Sequence, residues 1–287
     1  MDQMSAEFPV ALLCNVLEVS RSGFYDWKGG RTYRDNYKKQ MMEQRAIASF
    51  WENKRRYGAR RVSAALQQQS IPLSLYKARR VLKSNGLKAI QPRSFVPKTT
   101  NSRHSYTMSP NLLMHRSFPS TVNEVWVGDI TYIPLVNGRF CYLSIWMDLY
   151  SRRILGWALM PHMQEAIVIA SFKAALKKRK INPGLLVHSD RGGQYAGGAF
   201  RKILESNKML QSMSRADNPY DNAFMESCFS RFKAELLQGG AFENIEDAEI
   251  EIAEFIDGYY NIKRLHSSLG YLSPIDYELV PKKVSKK

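Results

Sequence analysis

Cysteine is scarce in this chain of 287 residues, which contains only Cys14, Cys141 and Cys228. These three are far apart and form no CxxC pair, so neither a disulfide framework nor a thiolate zinc site is indicated. Apolar runs are also short. None approaches the roughly 18 residues of a membrane span, and no signal-peptide pattern is present. We therefore expect a protein of the reducing cytoplasm that does not enter a membrane.

Acidic residues are missing from a long internal stretch. Residues 53–123 contain no Asp or Glu but 14 Lys and Arg, within a chain whose net charge is +16. A region of this length in which Lys and Arg occur without Asp or Glu favours nucleic-acid binding over a merely solvated surface. The candidate DNA contacts in it are Arg60, Arg61, Arg79 and Arg80.

Helical periodicity dominates the first ninety residues. Apolar residues recur at helical spacing over 8–19, and a turn with the start of a second helix follows over 20–27. A second helix pair is predicted over 57–66 and 73–83, where Ser74 can cap the second helix. Both pairs have the spacing of a helix-turn-helix unit, and the second carries more positive charge.

The periodicity changes to that of strands after residue 123. Residues 125–135, 139–148 and 153–160 predict three antiparallel strands, the first two joined by an Asn137-Gly138 turn. Helices and strands then alternate, with strands over 184–190 and 209–213 and a long helix over 222–237. The pattern predicts an α/β fold, a ribonuclease-H-like mixed five-stranded sheet with flanking helices, preceded by an all-α helix-turn-helix region.

Four segments are expected from these patterns. They are a helical DNA-binding region over 1–90, a basic linker over 91–123, a catalytic core over 124–238, and a C-terminal helical extension with a basic tail over 239–287.

Three carboxylates occur where apolar patterns meet polar residues. Asp129 lies within the first predicted strand, Asp190 ends the fourth, and Glu226 opens the long helix. A charge placed among apolar strand residues costs several kcal/mol unless it is paired, and a metal ion would offset that cost. We therefore expect Asp129, Asp190 and Glu226 to converge on two Mg²⁺ or Mn²⁺ ions. His188, beside Asp190, is expected to orient the strand end instead.

Several strings resemble one family closely. They are Trp126-Val-Gly-Asp-Ile-Thr-Tyr, His188-Ser-Asp-Arg-Gly-Gly-Gln-Tyr, Tyr220-Asp-Asn-Ala-Phe-Met-Glu-Ser, Lys233-Ala-Glu, and Tyr260 through Pro274. In this order they resemble the second-frame transposases of the IS-three insertion sequences, which share an Asp-Asp-Glu triad with retroviral integrases. The resemblance covers nearly the whole chain.

The resemblance implies a function and its residues. Asp129, Asp190 and Glu226 would be the catalytic, metal-binding triad, and Lys233 would contact the element end. The enzyme would nick insertion-sequence ends and join the freed 3′-hydroxyl to another DNA strand. It also implies a nucleoid-associated protein of bacteria whose partners are double-stranded DNA, the first-frame protein of the same element, and further copies of this chain.

Two other functions stay open on the sequence alone. The basic N-terminal half would also suit a DNA-binding regulator with an inactive nuclease fold. The fold would equally suit a ribonuclease-H-like nuclease that cuts RNA hybrids or branched DNA, although that reading leaves the N-terminal helices and Lys233 without a role.

Overall fold

The structure is a computed structural model that describes residues 1–30, 37–91, 107–114, 116–215, 221, 223–238 and 240–280. Among these residues, no helix is both long and apolar enough to cross a membrane.

All the regular secondary structure in the described part of the first ninety residues is helical, as predicted. Its helices are α1 (Val10–Val16), α2 (Arg21–Lys28), α3 (Tyr37–Glu52), α4 (Ala59–Gln68) and α5 (Leu75–Ser84). The predicted cap of α5 is confirmed, because the Ser74 hydroxyl accepts a hydrogen bond from Lys77 N at 3.3 Å. Helices α3, α4 and α5 bury one apolar cluster, which includes Phe50, Leu66 and Val81.

A mixed five-stranded sheet forms the centre of the rest of the chain. Its strands are β1 (Val125–Pro134), β2 (Phe140–Asp148), β3 (Ile154–Met160), β4 (Leu186–Ser189) and β5 (Leu210–Met213). Their order is β3-β2-β1-β4-β5, with β1, β2 and β3 antiparallel and β4 and β5 parallel to β1. The β1–β2 turn contains Gly138 at φ +76°, which the predicted Asn-Gly turn requires. This is the ribonuclease-H-like arrangement that the sequence predicts.

Helices cover both faces of the sheet. They are α6 (Glu165–Lys178), α7 (Gly193–Ala196), α8 (Gly198–Ser206), α9 (Ala223–Leu237), α10 (Ile245–Ala253) and α11 (Pro274–Leu279). One buried cluster joins Trp126 and Trp146 of the sheet to α6 and α8, and includes Phe172. The other joins odd-numbered positions of β1 to α9 and α10, and includes Phe232. Successive residues of a strand point to opposite faces, so the side of β1 that carries Asp129 faces α9.

Part of the predicted linker is packed against the sheet. Leu112 N donates to Ser212 Oγ at 2.9 Å, and Met213 N donates to Pro110 O at 3.3 Å, so residues 107–114 follow the edge strand β5. No periodicity reveals this, because the segment adds single backbone and apolar contacts instead of forming a regular element.

The remainder of the predicted linker, residues 92–106 and 115, lies outside the described residues. The C-terminal boundary predicted after residue 238 also differs from the packing. Helix α10 and the π-helical turn Glu254–Tyr260 share a buried cluster with β1 and β2, so the segment after α9 completes the core of the sheet. The division into four segments stays a prediction.

Candidate active site

The register of two parallel strands places Asp129 and Asp190 side by side. Strand β1 pairs with β4 so that Val127 lies opposite His188. Two residues further along each strand are Asp129 and Asp190, the latter immediately beyond the end of β4. Neighbouring strands lie about 4.8 Å apart, so the two carboxylates lie side by side at the point where β4 ends.

Both carboxylates are only partly buried and bound to nearby backbone. Asp129 Oδ1 accepts from Ile130 N at 2.7 Å, and Asp190 Oδ1 accepts from Gly192 N at 3.0 Å. Behind them lies Tyr195, whose pKa is raised well above its usual value by burial and, to a smaller extent, by the charges of Asp129 and Asp190. The two aspartates thus sit close together and neither is fully buried, and carboxylate oxygens are the hard ligands that a divalent cation prefers.

Glu226 lies in the first turn of α9 and is exposed to solvent. In the part of the chain that the structure describes, no group of three or more His, Cys, Asp or Glu side chains is arranged to hold a metal ion. The structure therefore brings Asp129 and Asp190 together but leaves Glu226 outside a three-carboxylate cluster. The catalytic triad stays a prediction.

Lys233 lies two helical turns after Glu226 on α9 and is close enough to Asp129 to be affected by its charge. Its Nζ is 3.4 Å from the centre of the Tyr132 ring, a cation–π contact. Burial lowers the pKa of Lys233 to about 8, against the opposing effect of the Asp129 charge. Because Lys233 is half-buried, its ammonium group has already lost part of its hydration shell. It can therefore bind a phosphate without shedding a full shell first.

His188 has a structural position, as expected. It is fully buried, its Nδ1 is 2.9 Å from Ser212 Oγ, and its Nε2 is 3.1 Å from the Asp221 carbonyl oxygen. Burial lowers the pKa of His188 to about 4, so the ring is neutral at pH 7. The ring ties the end of β4 to β5 and to the chain just before α9.

The four arginines predicted to contact DNA are not equivalent. Arg60, Arg79 and Arg80 are exposed. Arg61 instead donates from Nη1 to Glu235 Oε1 at 3.1 Å, and its side chain is only 15% exposed. The prediction of a DNA contact does not fit this position, because the guanidinium faces inward to a buried carboxylate. We therefore assign Arg61 to the packing of α4 on α9.

Sequence reasoning missed this buried ion-pair network. Arg264 Nη2 and Nε donate to the two oxygens of Glu235 at 2.7 and 2.8 Å. Burial alone would raise the pKa of Glu235, but hydrogen bonds and charge from Arg264 and Arg61 hold it below its usual value. A signal was present, because position 235 continues the helical spacing of the buried Met225, Cys228 and Phe232.

Comparisons with known proteins agree on two regions. The family model described as "Integrase core domain" matches residues 119–219, a second model with that description matches 207–274, and "HTH-like domain" matches 37–95. The second integrase match extends through α10, in line with the packing of that helix into the sheet core.

Full-length relatives are similar over almost the whole chain. The transposase for insertion sequence element IS904 of Lactococcus lactis is 36% identical, over 86% of this chain and 97% of the relative. Transposase InsF for insertion sequence IS3A of Escherichia coli is 34% identical, over 97% of this chain and 96% of the relative.

Solved structures are similar at lower identity. A simian T-cell lymphotropic virus intasome chain, solved in complex with a PP2A regulatory subunit, has a TM-score of 0.49 and 16% identity, over 83% of this chain and 74% of that chain. The catalytic domain of Mos1 mariner transposase has a TM-score of 0.39 and 17% identity, over 48% of this chain and 71% of that chain.

Proposed function

Because the chain belongs to the insertion-sequence transposases related to InsF of IS3, we propose that it nicks the ends of its element and joins the freed 3′-hydroxyl to another DNA strand. The observation that carries the proposal is the pairing of Val127 with His188, because Asp129 and Asp190 follow these two residues at the same spacing. Two half-exposed carboxylates on neighbouring strands provide the oxygen ligands that phosphoryl transfer by divalent cations needs.

We propose that Asp129, Asp190 and Glu226 hold two Mg²⁺ or Mn²⁺ ions. When bound, such ions activate the attacking oxygen and stabilise the leaving oxygen of an in-line displacement. The exposed Glu226 completes the ligand set when DNA is present, since it sits on the first turn of a helix that packs beside β1. Chemically, water attacks the phosphodiester at the element end first, and the liberated 3′-hydroxyl attacks the target phosphodiester second.

Lys233 has a separate role in this proposal. The Tyr132 ring fixes its ammonium group near Asp129. A pKa of about 8 leaves the amine mainly charged at pH 7, so it can bind the phosphate that flanks the scissile bond. We therefore place Lys233 among the groups that orient the DNA end, not among the metal ligands.

The DNA partners follow from charge and fold. Arg60, Arg79 and Arg80 are exposed on the helix pair α4–α5, within the region matched by the helix-turn-helix family model. We propose that they contact DNA phosphates. Because two element ends have to be brought together, we further propose an assembly of several copies of this chain on DNA, together with the first-frame protein of the element.

The decisive experiment replaces Glu226 by glutamine, which keeps its size but removes its charge. With labelled element ends and Mn²⁺, we expect nicking and joining to fall by more than about 100-fold, because even indirect contacts to a metal contribute 10- to 100-fold. DNA binding in a gel-shift assay should be unchanged. Glu249→Gln, at an exposed position of α10, is the matched control and should retain activity.

Three results would contradict the proposal. Retained activity in Glu226→Gln would remove Glu226 from the chemistry. Binding of DNA without Mn²⁺-dependent cleavage by the unaltered protein would favour a regulator. Preferential cleavage of an RNA–DNA hybrid would favour a nuclease of the ribonuclease H type.

A further inference from the structure

A groove rich in arginine lies between the N-terminal helices and α9. Its volume is about 420 Å³, and its charged lining consists of Arg56, Arg60, Arg61, Arg79, Arg231 and Glu235. The groove is therefore built from two distant parts of the sequence, the helix-turn-helix region and the helix that carries Glu226.

The positive charge of the groove is not neutralised by its own carboxylate. Glu235 is already paired with Arg61 at 3.1 Å and with Arg264 at 2.7 Å. Arg56 is fixed in place, because its Nε donates to the backbone carbonyl oxygen of Glu235 at 3.1 Å and its guanidinium carbon lies 4.4 Å from the centre of the Tyr259 ring. The groove thus has a fixed, partly buried cationic wall.

Three further guanidinium groups face solvent from the same groove. Arg60, Arg79 and Arg231 are exposed, the first two on α4 and α5 and the third on α9. Each has the planar donor geometry that binds phosphate oxygens in pairs. The chain continues from Gln91 into residues 92–106, which contain three Lys and Arg and no acidic side chains. Repulsion from the arginines therefore disfavours binding of this segment in the groove.

The groove's size and position indicate its ligand. A cleft of this volume can hold part of the backbone of one DNA strand, but it is too small for a whole duplex. Arg231 follows Glu226 by five residues, about 7.5 Å along the helix axis. A backbone bound at Arg231 therefore contacts the same helix as Glu226, the third proposed metal ligand, within two turns of it.

We propose that this groove clamps the sugar-phosphate backbone of one strand of the element-end DNA between the helix-turn-helix region and α9. The proposal rests on the proposed function, since it assigns DNA to a second site of the same protein. In this proposal Arg231 binds the same DNA strand as Arg60 and Arg79, from the opposite side of the groove. The basic composition of the N-terminal half does not identify Arg231.

Neighbouring serines provide a matched test. Ser267 lines the groove, whereas the adjacent Ser268, equally exposed, does not. The variants Ser267→Cys and Ser268→Cys of the full chain are each incubated with element-end duplex whose backbone phosphate carries a tether that ends in an activated aryl disulfide, which exchanges with the cysteine thiol and releases the aryl thiol. The native Cys14, Cys141 and Cys228 are buried and give little background. We expect the disulfide cross-link at Ser267 to exceed that at Ser268 several-fold, and equal yields would overturn the proposal.

An independent test measures the salt dependence of binding. Arg231→Ala should lower the slope of log affinity against log salt by about 0.9, the loss of one phosphate contact. Lys173→Ala removes one charge from the exposed side of α6 and should leave the slope unchanged. An unaltered slope for Arg231→Ala would also overturn the proposal. Nicking by the unaltered protein is measured in parallel, so loss of the groove and loss of the proposed catalysis are separate outcomes.

Discussion

Replacing Glu235 by glutamine removes the negative charge that Arg61 and Arg264 share. The Glu235 and Arg264 side chains are 7% and 3% exposed, so water cannot take the place of the lost partner. Arg264 would keep only neutral contacts, namely the remaining amide oxygen at position 235, the His266 ring at 3.2 Å and the Tyr260 face at 5.5 Å. Leaving one half of a buried ion pair uncompensated costs about 3–5 kcal/mol, and we expect this loss in the free energy of unfolding.

Urea denaturation followed by tryptophan fluorescence measures that loss, with Asp257→Asn as the control. Asp257 makes the same acid-to-amide change in an ion pair with Lys178, but the two side chains are 52% and 41% exposed. Such exposed pairs contribute less than about 1 kcal/mol. If Glu235→Gln is no more destabilising than Asp257→Asn, the buried network does not hold α9 against the N-terminal helices, and our account of Arg61 is wrong.

Two further predictions concern stability. Burial lowers the pKa of His188 to about 4. Burial and the nearby charge of Arg264 lower the pKa of His266 to about 2. In the unfolded chain the pKa of histidine is about 6.5, so the unfolded state binds more protons. Stability should therefore fall as pH drops below 6.5, by roughly 2 kcal/mol for each ring at pH 5, and urea midpoints that are equal at pH 7 and pH 5 would contradict this. In Gly156→Ala the added methyl group would overlap the backbone of α6, so we expect a loss of about 3 kcal/mol or more in thermal unfolding, whereas Gly198→Ala, with open space around it, should be neutral.

Local patterns were enough to predict most of the fold. Strand periodicity with an Asn137-Gly138 turn gave the β1–β2 hairpin, and a capping serine gave the start of α5. The adjacency of Asp129 and Asp190 is not given by these patterns alone, because it depends on the register that pairs the middle of β1 with the end of β4. The hairpin and the helix start depend on residues that are close in sequence or on a repeating backbone geometry.

Features set by the packing of distant segments were not predictable in this way. Arg61 and Arg60 are neighbours in a basic string, yet helical geometry turns one toward Glu235 and the other toward solvent. The distance from Glu226 to the aspartates depends on how α9 approaches the sheet, a relation that no local pattern encodes. Composition can therefore identify a DNA-binding region without identifying which of its cations are free to bind.

Helix α9 connects the two sites because different faces of it carry different functions. Its apolar face, with Phe232, is fixed in the sheet core, and Glu235 fixes its C-terminal half to the N-terminal helices. Met225, which is fully buried in the same core, fixes the first turn of α9 as well, and the exposed Glu226 lies directly beside it. Because one helix that is anchored at both ends carries Glu226 and Arg231, the proposed metal ligand and the proposed groove keep a fixed spacing along it, so DNA bound at one site is positioned for the other.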